Sequence, residues 1–128
     1  MRILKATAAL CLGLLAHVAL AADTPAAAPK WHISVVGGAT SDGQIQFRVT
    51  PHEGEAVAVN VKVNHGRPET FITKDIVEAV KAQLPKKRFK SEVISEKALI
   101  KAGPGEADFT VELLESTAAG ARIHVTAN

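Results

Sequence analysis

Apolar and polar residues alternate with a period of two along most of this chain. The pattern is clearest at Val57, Val59, Val61 and Val63, which interleave with Ala56, Ala58, Asn60 and Lys62. Successive side chains of a β-strand point to opposite faces, so the pattern describes a strand with one buried and one solvated face. β-branched residues at every second position favour that conformation further. The same alternation places Trp31, Ile33 and Val35 opposite His32 and Ser34, and Ile45, Phe47 and Val49 opposite Gln44, Gln46, Arg48 and Thr50. It returns with Phe109, Val111 and Leu113 against Asp108, Thr110 and Glu112, and with Ala121, Ile123 and Val125 against Arg122, His124 and Thr126. Phe89 to Ile94 and Ala98 to Ala102 complete the set, joined by a tight Ser95-Glu96 turn.

The period changes once. Beyond Phe71, the residues Ile76, Val77, Val80 and Leu84 share one helical face, while Lys74, Glu78, Lys81 and Ala82 lie largely opposite. Thr73 is placed to cap this helix, Asp75 suits the positive end of its dipole, and Pro85 stops it. A helix of about 11 residues is marginal alone, so its apolar face must pack on a sheet.

The fold class that follows is α+β, with about seven short, mostly antiparallel strands and one helix in the order βββ-α-ββββ. Connections of a few residues favour antiparallel neighbours. The first two strands, separated by Gly37-Gly38 and Ser41-Asp42-Gly43, are expected to pair as a hairpin. One helix cannot cover both faces of so large a sheet. The options are a curved sheet wrapped around the helix, or two facing sheets with the helix plugging one end.

The N-terminus carries a different signal. Arg2 and Lys5 precede an uncharged Ala- and Leu-rich run from Ala6 to Leu20, followed by Ala19-Leu20-Ala21. This is the order of a cleavable secretory signal peptide, and the apolar run, at roughly 22 Å as a helix, is short of the roughly 30 Å hydrocarbon core of a membrane. Cys11 lies inside that run behind Leu10, so a lipid-anchored cysteine is not expected. The expected organisation is a signal peptide over 1–21, a Pro- and Ala-rich flexible tether over 22–30, and one domain over 31–128, located in the periplasm or secreted. The mature chain would contain no cysteine, which excludes disulfides and thiol chemistry. It would also lose its apparent basicity, because without Arg2 and Lys5 the basic residues match the 13 acidic ones in number. A neutral chain argues against general binding to nucleic acid, and cleavage would leave no membrane span.

The stretch from Val57 to Leu113 resembles a small module of phage tail tube and sheath proteins and of some bacterial surface proteins. The residues that carry the likeness are the valine-rich strand Val57 to Val63, the segment Ile72 to Leu84 with Ala79, Val80 and Ala82, the hairpin Val93 to Ile100, and the strand Gly105 to Leu113. The resemblance implies a structural or interaction module with no catalytic residues to carry over.

Candidates for chemistry are few. His52, Glu53 and Glu55 form the densest group of metal donors, and His65 follows 13 residues after His52, across the Val57 to Val63 strand. These four residues are the basis of an alternative reading as a metal-handling protein or small secreted hydrolase. No serine sits in a nucleophile-elbow setting, and neither Gly37-Gly38 nor Gly103-Pro104-Gly105 opens a helix as a phosphate loop would. With one Trp, four Phe and no Tyr, stacking platforms for sugars or bases are poorly supplied. No cofactor is expected. Lys86, Lys87, Arg88 and Lys90 are the only concentrated charge of one sign, suited to an acidic surface of an envelope protein. The reading is an exported binding or interaction domain, for example an inhibitor or structural module, and it leaves enzymatic activity undecided.

Overall fold

A computed structural model of the chain describes residues 26–128. The expected signal peptide over 1–21, Cys11 within it and the first four residues of the expected tether lie outside the described residues. The elements are β1 (Lys30–Val36), β2 (Gly43–Pro51), β3 (Val57–Val63), α1 (Glu69–Gln83), β4 (Phe89–Ile94), β5 (Lys97–Ala102), β6 (Phe109–Ser116) and β7 (Arg122–Ala127). The order is the βββ-α-ββββ of an α+β fold.

The strands form two antiparallel sheets, one ordered β4-β5-β1-β7 and the other β3-β2-β6. The sheets face each other. At one side β6 approaches β7, and at the other α1 packs on β4, β5 and β1 and against β3. Inward residues of both sheets and of the helix meet in one core, which includes Ile33, Ile45, Phe47, Val59, Ile72, Ile76, Ile100, Phe109 and Val111. Phe89 and Phe109 meet edge to face with ring centroids 5.0 Å apart. Trp31 donates its Nε1–H to the Phe109 carbonyl at 2.8 Å, which satisfies the one polar atom its burial would otherwise strand.

The expected β1–β2 hairpin does not form. β1 pairs with β5 and β7, whereas β2 pairs with β3 and β6, so the chain changes sheet between Val36 and Gly43. The crossing is held by backbone bonds to two other loops, from Ala39 N–H to the Arg67 carbonyl at 2.9 Å and from Thr40 N–H to the Ala119 carbonyl at 2.7 Å. Gly37 has φ of +93° and lies so close to the Gly120 carbonyl that no Cβ would fit. A loop pinned to distant segments in this way carries β2 away from β1.

The helix is also longer than expected, because it begins at Glu69 directly after Pro68. Thr73 is therefore not its N-cap. It is a buried interior residue whose Oγ1 donates back to the Glu69 carbonyl at 3.1 Å. Asp75 lies beyond the first turn and instead holds Arg67 in a two-bond ion pair, with contacts of 2.9 and 2.8 Å. That contact raises the Arg67 guanidinium above its ordinary pKa through the hydrogen bond to Asp75. The acidic group in the first turn is Glu69, which accepts from Gly37 N–H at 2.8 Å and so ties the helix start to the sheet crossing. Leu84 ends the helix just before Pro85.

Two further details shape the edges. The folded part starts before Trp31, since Ala28 exchanges backbone bonds with Phe109 at 2.9 and 3.0 Å. In β6 the register shifts so that Leu113 faces Phe47 and Glu115 faces Gln46, which leaves Leu114 bulged and exposed.

Candidate functional site

The donor residues His52, Glu53, Glu55 and His65 do not form one site. His52 to Glu55 occupy the loop between β2 and β3, while His65 lies past the far end of β3, where Val63 pairs with Gly43. The intervening seven residues of strand span roughly 23 Å. His65 donates its backbone N–H to Asp42 at 2.7 Å. Among the described residues, no three His, Cys, Asp or Glu side chains converge as a metal ion requires.

His52 and Glu53 border a cleft of about 210 Å³ shared with Arg88 and Glu106. Arg88 is thereby withdrawn from the basic run. Its Nε lies 3.2 Å from Glu106 Oε1, and a terminal nitrogen donates to the Glu53 carbonyl at 3.1 Å. It fastens the β2–β3 loop to the β5–β6 loop. Gly103 is essential to the same corner, because it donates to the Arg88 carbonyl at 2.8 Å and sits against the Lys87 carbonyl with no room for a side chain. Lys86 and Lys87 remain exposed in the turn that this corner holds.

Lys90 belongs to a larger arrangement that contiguous sequence does not reveal. It lies on β4 directly opposite Lys101 of β5, and Lys101 lies directly opposite Lys30 of β1. Three lysines thus stand in one row across three adjacent strands. Alternation puts them on the outer face, since Trp31, Ile33 and Val35 of β1 point into the core. Lys97 and Arg122 share that face, and Glu92, 3.9 Å from Lys101, is the carboxylate among them. Like charges directly opposite each other destabilise a sheet. A face shaped for solubility alone would alternate the signs. The other sheet does so where Arg48 is bridged to Glu112 at 2.7 Å.

Beside this face runs a groove of about 580 Å³ between α1 and β4, lined by Glu78, Lys81, Ala82, Lys86, Phe89, Lys90 and Ser91. The helix contributes Lys81 because its outer surface faces the edge of β4, and Lys86 follows at the turn. The basic run read from the sequence therefore divides: Arg88 is structural, Lys86 borders the groove, and Lys90 joins the row with Lys101 and Lys30. Lys30 and Lys101 could have been found only by knowing the strand register, since 71 positions separate them in the chain.

No helix among the described residues is long and apolar enough to cross a membrane. No protein-family model matches the chain, and no curated protein matches it.

Proposed function

We propose that the protein is an exported binding domain of the periplasm or medium that recognises an acidic partner through the outer face of the β4-β5-β1-β7 sheet. The observation that carries the reading is the Lys90–Lys101–Lys30 row. Its repulsion opposes folding and is relieved when an anionic surface answers it. Exposed charges in such a row act over about 8 Å at physiological salt, so they steer and orient a partner at short range. The N-terminal charge, apolar and small-residue order supports export.

The test is fluorescence anisotropy with labelled polyglutamate against the mature protein and its Lys30→Gln/Lys90→Gln/Lys101→Gln variant, at 50 and 300 mM salt. The reading expects binding that weakens with salt and falls about tenfold or more in the variant, whose circular dichroism stays unchanged. Equal binding by the two proteins at both salt concentrations overturns it.

A further inference from the structure

We infer that the free edge of β4 is a strand-addition site for an extended acidic segment of a partner protein, an inference that rests on the binding reading above and specifies its partner. The argument begins with hydrogen-bond parity. In an antiparallel ladder, the backbone groups of successive residues point alternately to the two neighbouring strands. Ala102 N–H bonds to the Pro29 carbonyl at 3.0 Å, on the β1 side of β5, whereas Gly103 N–H bonds to the Arg88 carbonyl at 2.8 Å, on the β4 side. The even residues of β5 therefore serve β1, and the odd ones, Lys97, Leu99 and Lys101, serve Ile94, Glu92 and Lys90. What remains on β4 is Phe89, Ser91 and Val93, whose N–H and C=O groups point away from β5, and of these Phe89 and Ser91 also line the groove.

Phe89 N–H is taken by the Pro85 carbonyl at 3.1 Å, which closes the strand at that end. Ser91 and Val93 present both of their backbone groups, and among the described residues no other strand pairs with that edge of β4. The contrast with β3 is direct. There the Gln83 side chain accepts from Asn60 N–H at 2.9 Å and donates to the Asn60 carbonyl at 2.8 Å, so that an amide from the helix occupies the place of a neighbouring strand. An open edge is ordinarily guarded against pairing, and among the described residues no side chain caps Ser91 or Val93 as Gln83 caps Asn60.

Charge identifies the occupant. A strand laid along β4 would run between Lys81 and Lys86 on one side and Lys90 on the other, with Glu78 as the opposing carboxylate, itself 3.8 Å from Lys81. At the far end, Val93 and Ile94 are exposed at 44% and 39%. The matching segment is extended, acidic at the Lys86 end, and carries β-branched apolar residues toward Val93. Main-chain bonds would supply affinity, and the lysines specificity.

The probe is a labelled nine-residue peptide with valines in one half and glutamates in the other, with a control of the same sequence that is N-methylated at alternate amides. The inference expects the mature protein to bind the plain peptide at least tenfold more tightly than the methylated one, with amide exchange at Ser91 and Val93 slowed about tenfold or more. Val93→Pro removes an N–H that faces no partner strand, a substitution that edge positions tolerate, and should weaken binding about tenfold. Lys81→Gln/Lys86→Gln should weaken it similarly at low salt. Equal affinity for the two peptides, or unaltered exchange at Ser91 and Val93, overturns strand addition even when the lysine variants still lose affinity, a result that leaves the basic-face reading standing. Failure to bind either peptide or polyglutamate overturns both.

Discussion

Replacing Val61 by aspartate should cost this protein a large part of its stability, and replacing its neighbour Lys62 by aspartate should cost almost none. Val61 is 3% exposed on β3 and faces Ile45, which is wholly buried, whereas Lys62 projects from the solvated side opposite Gln44. Withdrawing the valine side chain forfeits about 1.5 to 3 kcal/mol of apolar burial, and the incoming carboxyl has no donor within the cluster of Val59, Val63 and Ile45. Together these give a loss of about 4 kcal/mol, against about 5 to 15 kcal/mol for a typical domain. For roughly 100 residues that corresponds to a fall of about 15 to 30 °C in Tm, while Lys62→Asp should move it by a few degrees. The deficit also has a pH signature. Burial raises the pKa of the introduced carboxyl above the value of about 3.9 that it has in the unfolded chain. The penalty is therefore complete above the raised folded-state pKa, shrinks as pH falls from there toward about 4, and is constant below. Val61→Asn lacks this dependence and isolates it. Urea melts of the three variants between pH 4 and 8 provide the measurement. Equal losses at positions 61 and 62, or a Val61→Asp deficit that does not shrink with acid, would refute the one-sided burial of β3.

Two further outcomes can be checked on the same protein. Gln83→Ala should lose about 1 kcal/mol in urea melts, because two exposed hydrogen bonds to Asn60 go while side-chain entropy returns, and sedimentation should then show self-association through the uncovered β3 edge. Ser95→Asn/Glu96→Gly should raise Tm by several degrees, because these residues hold φ of 49° and 64° in a two-residue hairpin turn where Asn-Gly is the favoured pair.

How much of this molecule could be read from the chain depends on whether a feature is local. The alternation that defines β3 is a property of seven consecutive residues, so the strand and its buried face were legible. The Ser95-Glu96 turn joins adjacent segments and was legible for the same reason. Alternation states which face is buried but not which strand lies alongside, and so the β1–β2 partnership failed: the crossing depends on Arg67 and Ala119, which lie in remote loops. The helix start was misplaced because Pro68 has no capping side chain, while Thr73 has the chemistry of a cap but spends its hydroxyl on the Glu69 carbonyl. At the candidate site, Lys86 and Lys90 were visible as a run. The partners that turn Lys90 into a row come from β1 and β5, and the neutralisation of Arg88 comes from a carboxylate 18 positions away.

Trp31 gives the protein a spectroscopic property of its own. It is the single tryptophan of a chain without tyrosine, is 4% exposed, and is anchored through its ring nitrogen to Phe109. Its fluorescence therefore has one source, emits toward the blue while the indole is shielded from water, and moves to the red when the two sheets part. The ring lies on the inner surface of β1, and the neighbouring Lys30 projects from the outer one. An anion settling on the lysine row leaves the emission where it was, whereas loss of structure shifts it, so one cuvette separates a variant that no longer binds from one that no longer folds.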